Sequence, residues 1–348
     1  MKQGKTLTQL AVELERQQNA KRDFVADTRK LYMTPDSNKV EISLGTKGVE
    51  LFDTNRQAHK QIATYSNIPQ KYYDLMPNDL RAVNVNHWLK NNSDQRLVRT
   101  LDGNVRAFLS DRYRALDNFD LAESVLPVLQ EVQDMEIVSC ELTDRRMYIK
   151  ALFPQIQADL KVGDTVQSGV VISNSEIGQG SLRVEPLVYR LVCLNGMISN
   201  YSQKRYHVGK HTGEEDMAQE IYRDETRKAD DKAFWLKVQD TVRASVSAAS
   251  FERVVQKMRE TMDMEMTISP VDVVERTQKK FGMTDSEGSS VLSHLISGGS
   301  LNGFGLMNAI TRTAQDIDSY DRATEFERMG GQIIELGQSE WRSLAVAA

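Results

Sequence analysis

The chain has 348 residues, with 44 Lys and Arg against 49 Asp and Glu, a formal net charge of −5 and 40% hydrophobic residues. That is a soluble composition with room for a sizeable core, and no apolar run approaches the roughly 20 residues of a membrane span. A net negative chain does not coat duplex DNA by bulk charge, so any nucleic-acid role requires a local basic face.

The first residues, MKQGKTLTQLAVELERQQNAKRDF, lack the apolar region of a secretory signal, which predicts a cytoplasmic location. Leu7, Leu10, Ala11 and Leu14 share one helical face, and residues 1–30 read as a surface or oligomer-facing helical arm. KVEISLG and the following TKG predict a strand and turn. DTNRQAHKQIATYSN predicts a helix capped at Asp53 or Thr54, and Pro69 and Pro77 punctuate two more helical pieces. Residues 96–101 and 105–109 alternate around Asp102-Gly103, a pair suited to the positive φ angles of a two-residue hairpin turn. NFDLAESVLPVLQEV predicts a helix with Asn118 as cap and Pro127 as a kink.

IVSCELTDRRMYIKALF places Val138, Cys140 and Leu142 on one face of a strand, with Met147, Ile149, Ala151 and Phe153 matching them across a turn. Arg146, Tyr148 and Lys150 take the other face. VQSGVVISNS and GSLRV predict two further strands, and Pro186 to Gly196 a short helix packed on the resulting four-strand sheet. From Glu214 onward the texture is helical and highly charged. DSEGSS and SGGSLNGFG read as connections around a short helix, and a last amphipathic helix spans about 306–336, weakened at Gly330 and Gly331. The expected fold is α+β: the 1–30 arm; a core over 31–213 with a mixed, largely antiparallel sheet and packed helices; and a helical section over 214–348 folding back on it.

RLVCLNGMISNYSQKRYHVGKHTG, residues 190–213, holds no acidic residue. Arg190, Lys204, Arg205 and Lys210 interleave with Tyr189, Tyr201 and Tyr206, and Arg146, Tyr148 and Lys150 repeat that chemistry on a neighbouring strand. Cations for phosphate and rings for bases are what single-stranded nucleic acid binding uses. The competing reading packs the tyrosines in the core and pairs the cations with acids from elsewhere. His207 and His211, four apart, are candidate phosphate donors. They also sketch a divalent metal site with Glu214, Glu215 or Asp216, but without a strong motif no metal or cofactor is expected. Arg112 and Arg114 follow a predicted strand, where they can grip a phosphate or join Asp111 and Asp117 in a salt-bridge network. Asn308, Thr311, Arg312 and Gln315 form a polar stripe on the last helix, read as solvent-facing rather than closing over a site. Cys140 and Cys193, with no CxxC spacing, read as small buried hydrophobes.

Several segments together resemble a known family. RAFLSDRYRALDN, SGVVISNSEIGQGSLRV, YRLVCLNGMI, KHTG and LMNAITRTAQDIDSYDRATEFERMGGQII are similar, in order over roughly residues 20–340, to the phage- and plasmid-associated domain-of-unknown-function 932 family. The resemblance implies a cytoplasmic protein of a bacterial host, encoded by a phage, prophage or plasmid and engaged in replication, recombination or host takeover. It transfers no catalytic residue. The leading expectation is therefore a nucleic-acid-binding protein, for single-stranded DNA, with Arg112, Arg114, Arg146, Tyr148, Lys150, Lys204, Arg205, His207, Lys210 and His211 as contacts and homo-oligomerisation possible. Two alternatives are an enzyme acting on a phosphate-containing substrate and a host-protein-binding, anti-defence protein using the acidic helical half. No membrane partner is expected.

Overall fold

The computed structural model describes residues 1–43, 48–113, 116–199, 204–206 and 224–347, the side chains of 204–206 and 224–231 excepted. Helix α1 (Leu7–Ala20) begins at Thr6, whose hydroxyl accepts from Gln9 N while the Gln9 side chain accepts from Thr6 N. Leu10 and Leu14 are buried against β7 (Glu136–Leu142) and α5 (Asn118–Gln130), and β1 (Arg22–Asp27) pairs antiparallel with β5 (Gln95–Leu101). Residues 1–30 are thus built into the fold rather than set apart as an arm.

The first sheet also contains β2 (Leu31–Met33), β3 (Val40–Ser43), β4 (Val49–Thr54) and β6 (Asn104–Ser110), in the order β1-β5-β6-β4-β3-β2. Only its β4–β6 pair is parallel. Asp102 (φ 51) and Gly103 (φ 75) make the β5–β6 turn as the sequence predicts. Helices α2 (Arg56–Tyr65), α3 (Gln70–Leu75) and α4 (Asn78–Asn91) close this layer, the last two entered directly from Pro69 and Pro77. The cap of α2 is Asn55, which accepts from Ala58 N at 2.8 Å, because β4 runs on through Asp53 and Thr54.

The second sheet is antiparallel throughout. It comprises β7, β8 (Met147–Lys161), β9 (Asp164–Asn174), β10 (Leu182–Arg190) and β11 (Asn195–Ile198), with β12 (Lys204–Tyr206) also on β10. All four expected strands are present. The expected helix over 186–196 is instead the second half of β10, a turn and the start of β11. Leu187, Val188 and Tyr189 suit a pleated strand. Pro186, which would otherwise leave a ladder position without its donor, falls where β11 pairing (Leu187–Arg190) stops and β12 pairing (Leu182–Val184) has not begun. One face of the sheet sets Cys140, Met147, Ile149, Ala151 and Phe153 against α5 and α6 (Asp224–Ser245).

The chain beyond is helical: α7 (Ala248–Glu260), α8 (Pro270–Phe281), α9 (Asp285–Gly298), α10 (Gly303–Thr313), α11 (Tyr320–Ile333) and α12 (Gln338–Ala345). DSEGSS is not a connection but the opening of α9, because Thr284 and Glu287 form a reciprocal cap before it. The single last helix is two, α10 and α11. Gly330 and Gly331 do not end α11; they let it approach its neighbours. A Cβ on Gly331 would stand 1.9 Å from Ile198 O, and one on Gly330 2.3 Å from Thr311 Cγ2. Among the described residues, no helix is long and apolar enough to cross a membrane.

Candidate nucleic-acid interface

The polar face of the second sheet, expected to meet a ligand, lies under α11. Lys150, Val171 and Glu185 stand side by side on β8, β9 and β10. Helix α11 answers their charges in reverse: Glu327 takes Lys150 at 2.5 Å, and Arg328 grips Glu185 with Nε and Nη2 at 2.9 and 2.7 Å. Lys150 and Glu327 are both 0% exposed. Burial pulls the Lys150 pKa down, against the opposing pull of Glu327. The Tyr320 ring lies 4.8 Å from the Lys150 ammonium, and Tyr148 donates its hydroxyl to Asp321 at 2.7 Å. Tyr148 and Lys150 are therefore core groups and not surface contacts, a correction to the sequence expectation. Carboxylates from the C-terminal half neutralise the one and accept from the other.

At the end of the same strands the cover stops, leaving a cleft of 490 Å³. Arg145, Arg146, Arg183, Lys280, Arg322 and Arg328 line it, against Asp321 and Glu325. Lys280, Arg322 and Arg328 have carboxylate partners in Glu340, Glu287 and Glu185, and Arg183 lies 3.9 Å from Glu185. Arg145 and Arg146 have none among the described residues. Arg146 donates Nη2 to Gln179 O, while its buried Nη1 has no partner. Its guanidinium occupies the space left by Gly180 (φ +122), where a Cβ would stand 1.8 Å from Nη2. Burial lowers the Arg146 pKa, yet a guanidinium stays charged, so this is a desolvated cation. Phe281, half-buried, is the accessible ring of the cleft wall.

Of the residues singled out by sequence, Arg146 lines this cleft and Tyr148 forms part of its floor. The backbone of Lys204–Tyr206 pairs with Leu182–Val184, setting Arg205 opposite Arg183 at the cleft's edge. Arg112 is exposed on the turn after β6, while Arg114, His207, Lys210 and His211 lie outside the described residues. Asp117 does not pin Arg112: it pairs with Lys21 and with Arg99, itself 0% exposed. Sequence reasoning missed Arg145, Arg183, Lys280, Arg322 and Arg328, which come from four separate elements; the RxxxxxR spacing of Arg322 and Arg328 is not a motif. The stripe divides: Thr311 is buried and accepts from Asn195 Nδ2 at 2.6 Å, Gln315, just past α10, donates to Leu194 O at 3.1 Å, and Arg312 stays exposed as expected. Among the described residues, no group of three or more His, Cys, Asp or Glu side chains could hold a metal ion.

A family model described as a domain of unknown function (DUF932) matches residues 107–315, more than half of the chain. No curated protein and no solved structure matches it. The match takes in β7 to β11, the turn carrying Arg145 and Arg146, and α8 with Lys280, so three of the cleft's elements fall within it, and the chain belongs to the DUF932 family.

Proposed function

We propose that this protein binds nucleic acid, a single DNA strand by preference, with the phosphate backbone running through the cleft at Arg146. The supporting observation is the concentration of cations there, two of them without a carboxylate partner among the described residues, on a chain of net charge −5. Phosphate neutralisation by such groups supplies sequence-independent affinity. A cleft of 490 Å³ suits one or two nucleotides of an extended strand rather than a duplex, whose major groove alone is about 12 Å wide. Phe281 offers the stacking surface that Tyr148 does not. The backbone of β12, which carries Lys204 and Arg205, pairs with β10 beside Arg183. The family resemblance favours a role in phage or plasmid replication or recombination.

The test is binding of a labelled oligonucleotide across a salt series. Affinity should fall steeply with salt. Arg145→Ala with Arg146→Ala should flatten the log–log slope by about 1.4, at about 0.7 for each phosphate deprived of its cation, and Lys204→Ala with Arg205→Ala should do the same. Salt-independent binding, or none at low ionic strength, refutes the reading.

A further inference from the structure

At the far end of β10 lies a second cavity, of 560 Å³, walled by the β10–β11 turn, the end of β8, α9 and α10. Eight residues of strand separate Leu182 from Arg190, about 26 Å at about 3.3 Å per residue, so this cavity is distinct from the arginine cleft. None of its lining residues is Asp or Glu, whereas Lys161, Arg190 and Arg312 are all present. Arg190 is fixed in place: Nε and Nη2 each reach Asp164 at 2.6 Å, and Nη1 donates to Cys193 Sγ at 3.1 Å. That pair is self-neutralised. Lys161 and Arg312 have no carboxylate partner among the described residues, Arg312 reaching only Gln315 Oε1 and Cys193 O. The cavity therefore carries about two uncompensated positive charges, the complement of a phosphomonoester at about −1.5 to −2. Its volume is in the small-molecule range and exceeds what a free phosphate fills. Val192 and Leu194 on the turn, 59% and 56% exposed, give the remaining wall an apolar surface suited to a flat ring, while the buried Phe304 ring lies beneath the Arg190 guanidinium at 5.2 Å.

We propose that this cavity is a binding site for a nucleoside monophosphate, with Lys161 and Arg312 holding the phosphate and the Val192–Leu194 turn receiving the base. The turn carries Leu194 at φ 54, a left-handed conformation for a non-glycine residue, and Gln315 fixes it through Cys193 O and Leu194 O.

Cys193 provides a reporter. It is half-buried at the cavity wall, whereas Cys140 is fully buried and its thiol is pushed up to about 12 by burial and by Glu141, so a thiol reagent labels Cys193 first. The full-length protein is titrated calorimetrically, and labelled, with the four common nucleoside 5′-monophosphates, with inorganic phosphate and with adenosine. The expected result is one-to-one binding of at least one nucleotide, slower labelling of Cys193, and no effect of adenosine. Lys161→Gln and Arg312→Gln, both exposed side chains, should each weaken binding about tenfold or more without moving the melting temperature. Val192→Asp on the turn should block binding independently. Protection by inorganic phosphate but by no nucleotide refutes the ligand class; no protection by any probe at millimolar concentration, or nucleotide binding unchanged in Lys161→Gln with Arg312→Gln, refutes the site. That double variant should bind oligonucleotide as the parent does, which separates this outcome from failure of the nucleic-acid reading.

Discussion

Removing the carboxylate of Glu327 tests how α11 is seated on the sheet. Glu327 and Lys150 meet at 2.5 Å with neither exposed to solvent, and Lys2 N lies 3.4 Å from the second carboxylate oxygen. Glu327→Gln leaves the ammonium buried with no counter-charge, and breaking such a pair costs about 3–5 kcal/mol. Lys150→Met should cost a similar amount by stranding the carboxylate. Lys150→Met with Glu327→Leu removes both desolvation penalties and should return stability to within about 1 kcal/mol of the parent or above it. Urea unfolding of the parent and the three variants compares them. The pH dependence has a definite sign. Lys150 already titrates below its ordinary 10.5 because of burial, and losing Glu327 lowers it further. A depressed folded pKa gives stability that is present above the unfolded value and lost as pH falls, so the deficit of Glu327→Gln should shrink as pH rises toward 10.5. Single variants costing less than about 1 kcal/mol, as exposed ion pairs do, would refute the reasoning.

Gly331→Ala should destabilise by about 1–3 kcal/mol in the same assay, since the new methyl meets backbone at Ile198 O and overpacking outweighs a helix-propensity gain of about 1 kcal/mol; a stabilised variant would contradict the close approach. His59, its ring nitrogen 2.7 Å from the Tyr73 hydroxyl, is pulled from 6.5 to about 4 by burial and by Arg81. The unfolded chain therefore takes up a proton first, and stability should fall as pH drops from 6.5 toward 4. At about 1.4 kcal/mol per pKa unit the loss is at most about 3 kcal/mol, and His59→Gln should lack that share of the slope. Leu194→Gly should stabilise by up to about 1 kcal/mol by relieving the left-handed φ; a loss of more than that amount means the side chain holds the turn by packing.

What local chemistry determines was legible in the chain. The Asp102-Gly103 turn, the proline entries to α3 and α4 and the two-face alternation of β8 all follow from short-range sterics and period. The second half of β10 was not, because Pro186 and Asn195-Gly196 are also helix punctuation, and only the split between β11 and β12 makes a proline tolerable mid-strand. The alternation correctly separated Arg146, Tyr148 and Lys150 from the apolar face, but it cannot say what covers them. That depends on Asp321, Glu327 and Arg328, more than 140 positions further on. The same distance hid the cleft, whose cations are spread over a turn, a strand and two helices. Arg146 was identified because its neighbours alternate; Arg183 was passed over because a lone arginine in a strand carries no pattern of its own.

The crossed charges beneath α11 also bear on how the chain comes off the ribosome. The sheet is complete by Tyr206, whereas its cover begins at Tyr320, so for over a hundred residues of synthesis that surface meets water. Had it been apolar, the nascent sheet would present a sticky flank to its neighbours. Lys150 and Glu185 break up a surface that also carries Leu152, Val171 and Leu187, so until the late helix arrives these two charges keep water on it, and the helix then meets it with the opposite charges.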